Sequence, residues 1–140
     1  MKALAEKLRG LEQSIADEKG PFNLFALFLR EDAPDVWDIV VAADWIEEDQ
    51  PQALAELSKR VRAYLRPDEI TRISRVVIVK RANPAVKAIA SAVSITHGVA
   101  EVANSNFFGL AIKQAFVITA QLDPPPNKVL QRTAAAGGRR

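Results

Sequence analysis

The chain has 140 residues, of which 49% are hydrophobic and 26% are charged, a balance typical of one soluble globular domain. It contains no cysteine, which excludes disulfides, thiolate metal sites and cysteine nucleophiles. The formal net charge of +2 comes from residues 128–140, because the first 127 residues hold 15 basic side chains against 17 acidic ones. The charge balance therefore gives little support to a dedicated nucleic-acid site.

Residues 2–18 are predicted to form an amphipathic helix that ends before Gly20 and Pro21. Apolar residues recur along it at steps of four, three and four, so they share one helix face. They are Leu4, Leu8, Leu11 and Ile15. The charged residues between them do not fit a signal peptide, and no apolar run in the chain approaches the ~20 residues of a membrane span. We therefore expect a cytoplasmic protein that does not associate with membranes.

Two strands are expected next. Residues 22–29 are apolar at nearly every position, which is typical of a strand buried on both faces. Residues 36–43 are rich in β-branched side chains, and the polar run between the two segments fits a turn. The pattern predicts a β-hairpin.

Helix and strand then alternate. A helix is expected to begin at Pro51, whose ring suits the first turn, and a short helical turn at Pro67. Residues 73–80 should form a third strand. Asn83 and Pro84 have the chemistry of a helix cap and a first helical turn, and they predict a helix of about ten residues.

Two further strands complete the predicted domain, at residues 98–104 and 111–120, with a turn at residues 105–106. Residues 1–122 should thus form a single α+β domain with the order α-β-β-α-β-α-β-β. We expect a mainly antiparallel sheet of about five strands with the helices packed on one face. Residues 123–140 are predicted to be a disordered tail, since three successive prolines at 124–126 lack amide donors.

The predicted sheet has a second apolar face that must be covered. Three of its strands are apolar at both alternating positions, and large exposed apolar patches are rare on monomers. Either a helix that crosses over or a partner subunit would cover this face. We expect the partner subunit, and hence a homodimer.

Residues 126–133 read Pro-Asn-Lys-Val-Leu-Gln-Arg-Thr. This run resembles the P-N-K-x-L-Q-R-T ending of proteins encoded by bacterial integron gene cassettes, in which the reading frame runs into the recombination site. The resemblance implies a mobile bacterial gene. It carries no expectation about the fold or activity of the preceding residues.

Charge is segregated along the chain. Residues 31–56 contain nine acidic side chains and no basic one, whereas residues 59–87 contain nine basic side chains and two acidic ones. The basic segment could meet the acidic one across a subunit contact, bind an anionic ligand or nucleic acid, or simply be a solvated helix face. The side chains proposed for an anionic-ligand surface are Arg62, Arg66, Arg72 and Arg75.

The sequence lacks a recognisable catalytic constellation. His97 is the only histidine, and neither a Gly-x-Ser-x-Gly elbow nor a phosphate-binding glycine loop is present. We therefore predict no metal and no cofactor. An enzyme remains an alternative if Asp44, His97 and Asn104 converge, and a pocket that brings His97 within hydrogen-bond reach of a carboxylate would favour it.

Aromatic side chains provide a further hypothesis, a small-ligand pocket lined by Trp37, Trp45, Phe107 and Phe108. We expect core packing for most of them. We expect a non-enzymatic accessory protein of a mobile cassette, which acts through homo-oligomerisation or such a pocket. The alternatives are a small enzyme with a site at Asp44, His97 and Asn104, and a nucleic-acid-binding protein that uses residues 59–87.

Overall fold

Five helices and five strands follow one another in residues 2–122, the part of the chain that this computed structural model describes. The helices are α1 Lys2–Lys19, α2 Asp44–Glu48, α3 Gln50–Tyr64, α4 Pro67–Ile70 and α5 Pro84–Ala92. The strands are β1 Leu24–Arg30, β2 Trp37–Ala42, β3 Ile73–Ile78, β4 Ala100–Phe107 and β5 Leu110–Ala120. The predicted α+β class is confirmed. The predicted tail lies outside the described residues.

The strands form one sheet in the order β3-β2-β1-β5-β4. Neighbouring strands run antiparallel, as predicted, except that β2 and β3 are parallel. A parallel pair requires a crossover connection, which α2, α3 and α4 provide. The β1–β2 hairpin is confirmed, and β5 lies on the other side of β1.

The first sheet face packs against α1, α2 and α3. The four apolar residues that define the predicted α1 face are all buried there. From α2 and α3 the buried residues include Ile46, Leu57 and Val61, and they meet strand residues such as Phe25 and Phe116. The 3.6-residue period thus identified the buried stripe of α1 correctly.

The second face packs against α5, which corrects the expectation that the helices share one face. Val86 and Ile89 of α5 are buried against Ala26, Phe28 and Val117. The cause is the strand order: β3 and β4 lie at opposite edges, so the chain between them must cross a face of the sheet. The crossing helix, the alternative to a partner subunit, is therefore present.

The cover that α5 provides is partial. A helix of nine residues is about 13 Å long, whereas five strands span about 19 Å across the sheet. Apolar residues around α5 consequently remain half-buried. They include Val77, Val79, Val102, Phe107 and Phe108.

Side-chain caps fix the starts of two helices, one at the predicted Asn83 and one at Asp49, which was not predicted. The Asn83 side chain accepts a hydrogen bond from the Ala85 amide at 2.8 Å at the start of α5. Asp49 likewise caps α3, with Pro51 in its first turn. Among the helices of residues 2–122, none combines the length and the apolarity that a membrane crossing requires.

The β4–β5 turn lies later than the predicted turn at residues 105–106. Phe107 pairs with Leu110, so Phe108 and Gly109 form a two-residue loop with φ of 56° and 73°. Two successive positive φ angles are the signature of a type I′ hairpin turn, which glycine favours. The polar Ser105 and Asn106 instead lie within the strand, opposite Ile112 and Ala111.

Candidate functional site

Glu12 is fully buried although it is an acid on a helix. It lies four residues after Leu8 and three before Ile15, which places it on the apolar face of α1. Its Oε2 accepts a hydrogen bond from the Thr119 hydroxyl at 2.8 Å, and its Oε1 lies 2.6 Å from Nδ1 of His97. Both carboxylate oxygens therefore have a partner, which buried charge requires.

A bulge in β5 brings Thr119 to this position. Phe25 pairs with Thr119 and Ala26 with Val117, so Ile118 is an extra residue without a partner on β1. The Thr119 side chain consequently faces α1, like that of Phe25. Its hydroxyl donates to Glu12 and also accepts a hydrogen bond from the His97 amide at 3.0 Å.

His97 connects the buried carboxylate to the surface. Its backbone has a φ of 52°, a region that side chains other than glycine adopt at a cost. Opposite Oε1 of Glu12, Nδ1 is assigned as the hydrogen-bond donor, and 30% of the side chain is exposed. The other nitrogen, Nε2, has no hydrogen-bond partner within residues 2–122. It can accept a proton or a hydrogen bond from a bound molecule.

The three residues of the predicted enzyme site are not brought together. Asp44 lies at the exposed start of α2, where an oxygen is 3.5 Å from Arg81. Asn104 is exposed on the edge strand β4 with a φ of 49°. Within the described chain, no hydrogen bond or ion pair joins any two of Asp44, His97 and Asn104. The carboxylate that pairs with His97 is Glu12, which the sequence reasoning missed.

A cavity of about 480 Å³ opens at another place, beside the first residues of β1 and α5. It is lined by Asn23, Glu47, Arg81, Ala82, Val86, Lys87, Gln121 and Leu122. The cavity thus combines two basic side chains and one acidic side chain with polar amides and an apolar wall.

In this cavity Glu47 and Arg81 pair with each other, whereas the Lys87 side chain pairs with no acid of residues 2–122. The Arg81 amide donates to Oε2 of Glu47 at 2.8 Å, and the Arg81 Nε lies 3.4 Å from the same oxygen. The backbone hydrogen bond and the nearby guanidinium lower the pKa of Glu47. The Lys87 side chain is exposed and has no polar partner in residues 2–122. The cavity lining therefore has a net positive charge.

Asn23 adds a buried polar group to the same cavity. Only 5% of the residue is exposed, and its Nδ2 donates to the carbonyl oxygens of Gln121 and Leu122 at 3.2 and 3.0 Å. Its Oδ1 accepts no hydrogen bond from the described residues. The two carbonyl acceptors assign the amide orientation, because only the NH2 group can donate to them. The unused acceptor can meet a ligand donor.

The four aromatic residues of the predicted pocket lie on opposite sides of the sheet. Trp37 is buried on the α1 face, with its ring centroid 5.4 Å from that of Phe116. The Trp45 indole also belongs to that side and donates to the Gly20 carbonyl at 3.0 Å. Phe107 and Phe108 lie on the α5 face. The structure therefore does not unite the four residues in one pocket.

The four arginines proposed as an anionic-ligand surface are partly assembled. Arg62 and Arg75 line a second cavity of about 240 Å³, but the guanidinium of Arg75 also lies 3.4 Å from the buried carboxylate of Asp38. Arg66 pairs with its near neighbour Asp68. Arg72 lies in the turn before β3 and is not among the residues that line this cavity.

Among residues 2–122, no three side chains of the types that ligate metals are grouped to hold an ion. No protein-family model matches the chain, and comparisons with curated proteins and with solved structures also found no match. The features of residues 2–122 that bear on function are therefore the Glu12–His97 contact and the cavity beside Arg81 and Lys87.

Proposed function

We propose that this protein is a non-enzymatic accessory protein of a mobile bacterial gene cassette, and that it binds a small organic anion in the cavity beside Arg81 and Lys87. The cassette origin is supported by the sequence of residues 126–133. The binding role is supported by the 480 Å³ cavity with its unpaired lysine. A cytoplasmic location is part of the proposal and fits the absence of cysteine.

The lining of the cavity defines the ligand class. Lys87 and Arg81 favour a carboxylate, because both are cations and Lys87 has no competing acid. The free Oδ1 of Asn23 favours a hydroxyl or amine donor on the same molecule. Val86 and Leu122 offer apolar contact to its carbon skeleton. A hydroxy acid or a similar small carboxylate meets all three conditions, and the volume fits the ~300–1,000 Å³ of typical ligand pockets.

Thermal unfolding of the full chain with a panel of small hydroxycarboxylates tests the proposal, with the matching uncharged amides as controls. A ligand that binds only the folded state raises the melting temperature. We expect stabilisation by at least one acid and by none of the amides. In Lys87→Glu that stabilisation should disappear, whereas Lys113→Glu, an equally exposed lysine on β5, should retain it.

The proposal fails if acids and amides stabilise the protein equally, since the basic residues would then have no role. It also fails if Lys87→Glu and Lys113→Glu respond alike. If no member of the panel binds at millimolar concentration, the cavity is not a site for this ligand class.

A second candidate function, acid–base chemistry at His97, is favoured by its contact with Glu12. A buried carboxylate that holds one imidazole nitrogen while the other remains free is the arrangement of a general base. Turnover of chromogenic carboxylic and phosphoric esters measures it. Activity that His97→Gln abolishes would support an enzyme; activity that this variant retains would exclude His97 as the base.

Homo-oligomerisation is a further proposal. Because α5 covers part of the second sheet face, a second copy would cover less apolar surface than the whole face predicted from the sequence. The half-buried residues around α5, among them Val77 and Phe108, are the apolar surface that a second copy would cover. The acidic segment 31–56 and the basic segment 59–87 would then determine the relative orientation of the two copies more than the affinity between them. Nucleic-acid binding through residues 59–87 has weaker support, because Arg60, Arg66 and Arg81 pair with acidic side chains.

A further inference from the structure

The strand β3 presents an open edge. It pairs with β2 on one side and with no other strand of residues 2–122. The amide of Val79 donates to the carbonyl of Val41 at 2.9 Å, so Val79 faces β2. Because inward and outward amides alternate along a strand, Val77 also faces β2, and the amides of Val76 and Ile78 face the open edge.

The 240 Å³ cavity lies directly beside this edge. The β3 residues that line it, 73–76, meet Ser58, Val61 and Arg62 from α3 and Ile70 from α4. Its apolar wall includes Ile73 and Val76, which are half-buried. An extended chain that paired with β3 would direct alternate side chains toward α3 and so into this cavity.

The charged side chains near the β3 edge indicate which kind of peptide it would bind. The Arg62 side chain is exposed and has no polar partner in the described chain. Lys80 is also exposed, but its charge acts on the Glu47 carboxylate. The nearby acids are already engaged, since Asp68 pairs with Arg66 and Glu69 pairs with Lys7. The open edge is thus flanked by the uncompensated positive charge of Arg62.

We propose that the β3 edge binds an extended acidic peptide segment of a partner protein as an additional strand. The amides of Val76 and Ile78 supply main-chain hydrogen bonds, the cavity takes an apolar side chain, and Arg62 pairs with an acidic one. This interaction is separate from the small-anion cavity, whose lining shares no residue with this one.

A second copy of this chain fits the edge less well. Two β3 strands paired about a two-fold axis would bring the basic residues of both copies together, and like charges across a strand pair are destabilising. The strand β2 is unavailable, because β1 and β3 occupy both its sides, and its one acid, Asp38, already pairs with Arg30 and Arg75. The other open edge, β4, carries a single acid, Glu101, which contacts Gln114.

The test uses the full chain and a fluorescent seven-residue peptide in which glutamate alternates with valine. Its controls are peptides with lysine or threonine in place of glutamate, and an acidic peptide N-methylated at every second amide. Fluorescence anisotropy measures the affinity. We expect the acidic peptide to bind, the lysine and threonine peptides to bind about tenfold more weakly or not at all, and N-methylation to abolish binding.

Variants and amide signals locate the site. Arg62→Glu should weaken binding of the acidic peptide about tenfold, whereas Lys59→Glu, on the same helix but outside the cavity lining, should leave it unchanged. In NMR spectra the amides of Val76 and Ile78 should become protected from hydrogen exchange when the peptide is added.

Equal binding of the acidic and threonine peptides would overturn the proposal, as would binding that survives N-methylation. Protection of these two amides without peptide, in proportion to protein concentration, would show that a second copy occupies the edge and would also overturn it. Failure at this edge leaves the carboxylate panel unaffected, so the two proposals are tested separately.

Discussion

Both oxygens of the buried Glu12 carboxylate have partners, and the loss of either contact should lower the free energy of unfolding. In Glu12→Gln the side chain keeps its size, but it loses its negative charge and one of its two acceptor oxygens. We expect unfolding by urea to show a loss of about 1–3 kcal/mol. Glu6→Gln, on the exposed side of the same helix, should change stability by less than ~0.5 kcal/mol. Equal losses in the two variants would show that the buried contacts of Glu12 contribute nothing specific.

Arg60 is expected to make stability depend on pH. Its guanidinium donates to Glu18 at 2.6 Å and to Glu56 at 2.7 Å, and these hydrogen bonds lower the pKa of both carboxyls. A carboxyl whose pKa is lower in the folded state than in the unfolded state stabilises the fold. This stabilisation is complete at pH values above the ordinary glutamate pKa of 4.5, and it is lost as the pH falls through the lowered pKa values.

Arg60→Met should therefore be less stable than the native chain at pH 7, and the difference should shrink toward pH 3. Urea unfolding of both proteins at several pH values measures it. A difference that is constant or grows as the pH falls would contradict the assigned ion pairs. Because all these groups lie near the surface, added salt should reduce the effect.

At the scale of single elements, β1 is the centre of the packing. Phe28 is 2% exposed on the α5 face, and its ring centroid lies 5.5 Å from that of Phe107. Phe28→Ala removes this burial and leaves a cavity, so we expect a loss of about 3–5 kcal/mol in chemical denaturation. Leu110→Ala, at a residue 37% exposed, is the control and should cost much less. A loss under ~1 kcal/mol for Phe28→Ala would place this side chain outside the core.

The elements that the sequence predicts well are those whose burial repeats along the chain. The stripe of α1, the apolar run of β1 up to Leu29 and the Asn83 cap are local patterns, and each is present in the structure. The side of the sheet that α5 covers was predicted wrongly, because it depends on where β3 and β4 lie in the sheet, and no local pattern encodes that order. The short α2 was also missed; it has five residues.

The Glu12–His97 contact could not be predicted because it depends on two irregularities far apart in the chain. One is the bulge at Ile118, which turns Thr119 toward α1, and the other is the positive φ of His97. One signal was available: an acid at a position of the apolar stripe, between Leu8 and Ile15. Such a position calls for a buried partner, and His97 was the only histidine in the chain.

For the molecule as a whole, the described residues already account for a complete sheet with helices on both faces. We therefore expect deletion of residues 124–140 to change the melting temperature by no more than a few degrees. Calorimetry of the full and shortened chains checks this. A larger drop would show that the deleted segment stabilises the domain.

The assembly state is the second expectation at this scale. If a second copy covers the half-buried residues around α5, sedimentation velocity at micromolar concentration should give a dimer, with or without residues 124–140. Phe108→Lys should then dissociate it, because a charge would enter the apolar contact. A native chain that sediments as a monomer at high concentration would rule out this interface.

The strand order also governs the path by which the protein can be made. Leu24 near the beginning of the chain pairs with Ala120 near the end of the domain, and β5 lies between β1 and β4. The β1–β2 hairpin can form early during synthesis, but the sheet remains split until its last strand is inserted, a long loop closure that slows folding. A nascent chain that stops before Leu110 leaves an edge of β1 unpaired and apolar. We expect such a premature product to aggregate instead of folding into a smaller protein.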